Sequence, residues 1–350
     1  LNSQVTIAVD CMGGDHGVTP IVEGALAALH ESLNSPLQVV LVGDRAQIQP
    51  VLDHQSALSA DVLKKRLRVE HADDEVTMDD KAADAVRRTN SSIVVGLKLH
   101  HSGKVDAFVS PGNTGAVMAS SLRHLGRLPG VIRPAITSLF PNQKTVTVVL
   151  DVGANAECKP QNLHQFAVMG SMFYQYVLKK ERPRVGLLSI GEEPTKGTET
   201  VQAANKLLAA DPSVNFVGNI EGRDILSSSV DVVVMDGYVG NIILKFAESV
   251  MPLLEAKLRH QINTNIFSKI GVFMLRPFLR RTRNSLDYAE YGGAPLLGVD
   301  GVVVICHGKS GVKAIKNAIF EAERCVRQNV NGHIKEQFEK VQAAETANAV

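Results

Sequence analysis

The 350-residue sequence has few cysteines, almost no surplus charge and no long apolar run. Cys11, Cys158, Cys306 and Cys325 stand far apart, without a CxxC pair or metal-ligand spacing, which argues against a disulfide framework or a thiolate metal site. Reduced thiols of a cytosolic protein are the default reading. The 37 basic and 36 acidic residues nearly cancel, at a net charge of +1, so nothing global attracts nucleic acid and any polyanion site must be local. No apolar stretch reaches bilayer length, and from Leu1 the chain runs almost directly into VTIAVD, without the basic segment and apolar core of a secretory signal.

Several catalytic signatures are missing too. No GxGxxG follows a strand, HExxH and GxSxG are absent, and the histidines do not cluster as metal ligands. The turn His307-Gly-Lys-Ser310 invites a P-loop reading, but Val303 stands where that loop needs glycine.

What is present is strand, polar loop and helix, repeated. Strands are predicted at 5–9, 36–42, 67–70, 107–109, 146–150, 184–189, 215–217, 232–235 and 301–306, and helices at 20–33, 46–67, 81–88, 91–101, 115–124, 162–178, 198–210, 247–261, 266–283 and 312–329. The alternation predicts a largely parallel sheet covered on both faces, in one unit over 1–332, with 333–350 as a surface helix or tail. The stretch 231–248, DVVVMDGYVGNIILKFAE, reads as a strand, a sharp turn at Asp236-Gly237 and a helix capped by Asn241. Such a junction offers amides and a positive dipole end to an anion.

Gly-Asn pairs recur at Gly112-Asn113, Gly218-Asn219 and Gly240-Asn241, with Gly153-Ala154-Asn155 as a relative. Carboxamides suit phosphate oxygens and a polar carbonyl, and turn chemistry is the competing reading. Lys196 and Lys245 are the cations nearest the predicted crevice, with a surface pair to Glu248 as the alternative for Lys245. His16 and His307 sit in the first and last of these loops. The segment 257–283 carries Lys257, Arg259, Lys269, Arg276, Arg280, Arg281 and Arg283 without one Asp or Glu, around the apolar IFSKIGVFMLRPFL. An anionic membrane or an acidic partner suits that tip, as does a core or dimer interface.

DCMGGDHG, MDDK, VSPGNTGA, LDVGANAECKP, SIGEEPTKG, VGNIEGRDI, DGYVGNIILKFAE and YGGAPLLGVDGVVVICHGKS together resemble the PlsX family of acyl-ACP:phosphate acyltransferases, in order from about Val5 to Val326. Cys11 and Pro111 stand where alanine is usual and Ala82 where proline is, which argues against Cys11 as an obligatory acyl carrier. The resemblance implies a three-layer α/β/α fold with a mixed, mostly parallel sheet, like the isocitrate/isopropylmalate dehydrogenases and phosphotransacetylases (Rossmann-like), in two intertwined lobes. It implies transfer of a long acyl group from acyl carrier protein to inorganic phosphate, with no cofactor or metal, by a cytoplasmic homodimer resting peripherally on the membrane. Phosphate attacks the thioester directly, so positioning and oxyanion donors are what the enzyme must supply.

The catalytic residues expected on that basis are Asn113, Lys196, Asp236, Asn241, His16 and His307, with the histidines protonating the leaving sulfur. Asp10, Gly13, Gly14, Gly112, Thr114, Gly115, Asn155, Asn219, Glu221, Gly237, Lys245 and Ser310 are expected to bind substrate. Phe267, Val272, Phe273, Leu275, Arg276, Phe278, Arg280, Arg281 and Arg283 are expected to meet membrane or carrier. The polar loops are expected to converge on one cleft, with SPGNTGA the stronger phosphate candidate.

Overall fold

The computed structural model describes residues 4–33, 35–54, 65–262, 274, 275, 277, 278 and 292–348, without the side chains of 259–262 and 341–348. Valine- and isoleucine-rich segments form the strands β1 (Val5–Asp10), β2 (Leu37–Gly43), β3 (Leu67–His71), β4 (Ala107–Ser110), β5 (Ala135–Pro141), β6 (Val146–Leu150), β7 (Arg184–Leu188), β8 (Asn215–Ile220), β9 (Val232–Val234), β10 (Ala294–Leu297) and β11 (Val302–Ile305). Among the described residues they make one sheet in the order β3-β2-β1-β4-β11-β10-β5-β6-β9-β7-β8.

The helices are α1 (Val18–Glu31), α2 (Arg45–His54), α3 (Ala82–Ala85), α4 (Ser92–His101), α5 (Thr114–His124), α6 (Pro160–Val177), α7 (Glu199–Ala210), α8 (Gly237–Ile262), α9 (Val312–Arg327) and α10 (Val330–Asn348). They cover both sheet faces. Strand alternation sends Ile7 and Val9 to one face with α1 and α9, and Ala8 to the other with Ile93 of α4 and Ala116 of α5. One face is a continuous apolar layer joining Phe108 to Val149 and Val233, which knits the two halves together. The opposite face divides between the α1/α9 cluster and one built by Phe166 and Phe173 of α6 with Leu208 of α7.

Strand direction decides where the loops emerge. β3, β2, β1, β4 and β11 are mutually parallel, whereas β10, β5 and β6 pair antiparallel in succession with β11 and one another. β9, β7 and β8 then follow β6 in parallel. The second parallel group therefore runs opposite to the first, and the two sets of strand-end loops leave the sheet at opposite edges.

This corrects the expectation of one gathering of loops, and smaller corrections accompany it. The antiparallel strands β5 and β10 were not predicted. The helix expected over 81–88 is the short α3, because Asp80 takes up the Thr77 amide and hydroxyl and Arg88 folds back onto Asp74 and Asp80. Of the helix expected over 46–67, Arg45–His54 and residues 65 and 66 are helical, and 55–64 lies outside the described residues. Of the helix expected over 266–283, only 274, 275, 277 and 278 are described, as helical and exposed. The 333–350 stretch is helical to Asn348, but Ile334 and Phe338 are buried, so its first part belongs to the core rather than the surface.

Candidate active site

Asp10 ends β1 with no exposed surface, and its Oδ1 accepts the amides of Met12 (3.0 Å) and Gly13 (3.2 Å). Its Oδ2 accepts the Ser110 hydroxyl at 2.6 Å, and Ser110 Oγ in turn accepts the Gly112 amide at 3.0 Å. Burial is the largest influence on this carboxyl and raises its pKa, against the opposing hydrogen bonds from Ser110, Ser92 and the two amides. The loops touch backbone to backbone, since a Cβ on Gly13 would lie 2.6 Å from Gly112 N and Cα. Asp15 N donates to Gly308 O at 2.7 Å, which brings the 307–311 turn into the same group. Asp10, Gly13, Gly14, Gly112, His307 and Ser310 are thus brought together.

Asn113 does not offer the donor expected of it. Its Oδ1 caps α5 by accepting the Ala116 amide at 3.0 Å, and its Nδ2 donates to Met78 O and Asp80 O at 2.8 and 3.1 Å. Both amide hydrogens are engaged in holding the 77–81 turn. Thr114 follows it, exposed on the first turn of α5, and Gly115 is half-buried against the Asn113 oxygen.

A second group forms around Asp151, which follows β6 as Asp10 ends β1, and it is also fully buried. Oδ1 accepts the amides of Ile136, Gly153 and Ala154, and Oδ2 accepts the amide and the Nδ2 of Asn155, at 2.7 to 3.1 Å. Burial again leads, and raises this carboxyl despite those donors. Asn155 O accepts the Gly237 amide at 2.8 Å, and a Cβ on Gly240 would fall onto the Asp151 carbonyl. These contacts seat the start of α8 on the 151–155 loop.

They also change the reading of 236–241. Asp236, not Asn241, caps the helix, accepting the Val239 amide at 2.8 Å, while Gly240 N donates to Asp236 O. With Gly237 N also taken, most first-turn donors of α8 are satisfied internally, which makes this terminus a poor anion site. Asn241 is exposed within the helix beside Gly153. Lys245 pairs with Glu248 at 3.0 Å, on the exposed surface.

Near β7 and β8, Asn219 is buried and its Nδ2 donates to Glu193 O at 2.8 Å, while its Oδ1 accepts from Asn205. Through that bond it holds the 190–197 loop. Glu221 caps the 3-10 turn Gly222–Leu226, and Arg223 bridges it to Glu192. Lys196 is exposed on the loop these bonds anchor. His16 is exposed, and His307 is half-buried with its Nδ1 accepting the Lys309 amide at 3.0 Å.

The thiols are poor nucleophiles. Burial, then the charges of Asp151 and Asp236, push Cys158 up to about 12; burial and Asp10 do the same to Cys306, and Cys11 and Cys325 are also raised, chiefly by burial. Among the described residues no group of His, Cys, Asp and Glu has metal-site geometry, and no helix is long and apolar enough to cross a membrane. Leu275 and Phe278 of the expected tip are exposed; Phe267, Val272, Phe273, Arg276, Arg280, Arg281 and Arg283 lie outside the described residues.

Asp151, Ser110 and Asp15 were missed by sequence reasoning. The available signal was an aspartate between a run of apolar residues and a glycine, in VTIAVDCMGG and VTVVLDVGAN alike.

The described fold is shared with a phosphotransacetylase from Streptococcus pyogenes (TM-score 0.60, 16% identity, 92% of this chain and 94% of that one). It is shared also with EutD phosphotransacetylase from Staphylococcus aureus (TM-score 0.58, 16% identity, 92% and 95% covered). A 4-hydroxythreonine-4-phosphate dehydrogenase from Klebsiella pneumoniae is a more distant likeness (TM-score 0.51, 16% identity, 92% and 98% covered). Proteins named phosphate acyltransferase from Syntrophotalea carbinolica and Heliobacterium modesticaldum are 44% and 46% identical, over 95% and 94% of this chain and 94% and 96% of theirs. The family model described as fatty acid synthesis protein matches residues 5–333, and the chain belongs to that family, the PlsX family.

Proposed function

We propose that the protein transfers a long acyl group from the thioester of acyl carrier protein to inorganic phosphate, releasing the carrier thiol and acyl phosphate for phospholipid synthesis. The observation that carries this reading is identity of 44% over nearly the whole chain with a protein named phosphate acyltransferase. The raised thiols support direct attack: a phosphate oxygen forms the new bond to the carbonyl carbon, the carbon–sulfur bond breaks, and the thiolate leaves, taking a proton from His16, His307 or solvent. Backbone amides at the strand-end loops would stabilise the oxyanion.

The purified chain, given acyl carrier protein thioester and phosphate, should release free thiol and hydroxylamine-trappable acyl phosphate in equal amounts. Thioester loss independent of phosphate would overturn the reading. Turnover of coenzyme A thioester alone would favour the second reading, a phosphotransacetylase-type enzyme, which the shared fold keeps open.

Tyr238, Ile242 and Phe246 recur at four-residue steps on α8, and all are more than half exposed. We read that face as the homodimer contact, and the apolar tip with its arginines as the contact with an anionic membrane or with the carrier. Reversing the charges of Arg280 and Arg281 should weaken vesicle or carrier binding in a salt-dependent way, and unchanged binding of both would overturn this reading of the tip.

A further inference from the structure

We propose that the neighbouring N-termini of α1 and α9 hold the acceptor phosphate, with Ser310 donating its hydroxyl and Asp15 accepting the proton that the anion carries; this rests on the acyl-to-phosphate reading above.

The helix termini are not equivalent. Asp236 caps α8, Asn113 caps α5, Ser91 caps α4 and Thr198 caps α7, each by accepting a first-turn amide. α1 and α9 begin instead at Gly17 and Gly311, neither of which has a side chain to cap with. The two helices run side by side in the same sense: a Cβ on Gly24 would lie 2.7 Å from Ile315 Cβ, and Ser35, beyond the end of α1, donates to Glu323 near the end of α9 at 3.0 Å. Both positive ends therefore face the edge where the Asp10 loop and the 307–311 turn join.

Ser310 supplies the independent observation. It stands one residue before the α9 cap and is only 3% exposed, and its hydroxyl oxygen has no hydrogen-bond partner among the described residues. Ser120, Thr137, Ser171 and Ser189 also carry unpartnered buried hydroxyls among the described residues, but the Ser310 hydroxyl adjoins an uncapped helix start, where it can donate to an anion held by the first-turn amides. Lys309 is exposed beside it. His16 and His307 flank the two turns, and Asp10 lies beneath, its oxygens turned to the Met12 and Gly13 amides and to Ser110.

Asp15 gives the site its selectivity. It is exposed, and its carboxylate abuts the 307–311 turn, since a Cβ on Gly308 would lie 3.0 and 3.2 Å from its two oxygens. A carboxylate repels an oxyanion unless the anion brings a proton to share. Phosphate near neutral pH keeps at least one P–O–H; sulfate keeps none and meets only repulsion.

The test is kinetic, with calorimetry of inorganic phosphate binding to the full chain alongside. In Asp15→Asn, sulfate should inhibit about tenfold more strongly relative to the KM for phosphate, the loss of a charged repulsion and gain of a donor. Ser310→Ala removes an orphan hydroxyl and should fold normally, yet raise the phosphate KM about tenfold without changing the KM for the acyl donor. Circular dichroism and unfolding midpoints confirm the fold of each variant. If both folded variants keep phosphate KM and phosphate-to-sulfate preference within about twofold of wild type, the site is wrong although acyl transfer stands. If wild type binds phosphate with this Asp15 dependence but forms no acyl phosphate, the site stands and acyl transfer fails.

Discussion

Asp10 and Asp151 solve one physical problem twice. A glycine-rich loop leaving a buried strand exposes amides that the sheet no longer pairs, and a buried carboxylate collects them while those amides offset its own desolvation. In Asp151→Asn the new amide group would face N–H donors it cannot accept from. The substitution should cost on the order of 3 kcal/mol in urea unfolding, and a cost near zero would mean the loop is held by other contacts. Asp231 is the opposite electrostatic case. Burial alone would raise it, but Arg184 and Lys180 bond it at 2.7 to 3.2 Å and hold its carboxyl below the usual value. Since the folded-state pKa is the lower one, the stability from this bridge is present above the ordinary carboxylate pKa and lost as pH falls through the depressed value. Asp231→Asn should therefore lose about 2 kcal/mol at neutral pH, with the gap to wild type closing in acid; unfolding midpoints across pH measure both.

At the scale of elements, the helices were the more legible part. Ser91, Asn113 and Thr198 stand where capping chemistry places them, and each accepts a first-turn amide. The opening of α8 was misread because Asn241 and Asp236 are equally good capping residues by type, while packing settled the matter: Gly237 and Gly240 press against the 151–155 loop, so the helix must start there. Asp236→Ala should cost about 1 kcal/mol as a lost cap, whereas Asn241→Ala should leave stability unchanged; equal losses in denaturant titrations would restore Asn241 as the cap. β5 and β10 were missed for another reason. Each is an antiparallel insertion among βα units, and β10 is only four residues long, so neither carries the alternation with helices that marks the other strands. The turn Asn142 to Thr145, where the Asn142 side-chain oxygen accepts the amides of Lys144 and Thr145 and Asn142 N donates to Thr145 O, was the available hairpin signal.

Strand polarity is a property of the whole molecule, and no local stretch of sequence encodes it. The motifs at 10–17, 110–115 and 307–311 could be read individually, but their separation from 151–155 and 236–241 follows from the antiparallel β10-β5-β6 passage, which only the complete sheet reveals. The same holds for the C-terminal boundary. Alanine- and glutamate-rich composition made 333–350 look like a surface tail, yet α10 places Ile334 and Phe338 in the cluster built by α6, and His333 stacks on Tyr176 with ring centroids 3.5 Å apart. A chain ending at Gly332 would keep nearly all of the matched family span and lose those three contacts. Burying an isoleucine and a phenylalanine contributes about 2 kcal/mol each, so the truncated protein should unfold with a deficit of about 4 kcal/mol. Because α10 follows the C-terminal end of α9, whereas the proposed phosphate site lies at the N-terminus of that 16-residue helix, phosphate-dependent turnover below the melting temperature should change little. A truncation that kept full stability would return α10 to the surface, and one that lost activity while remaining folded would tie this helix to the site.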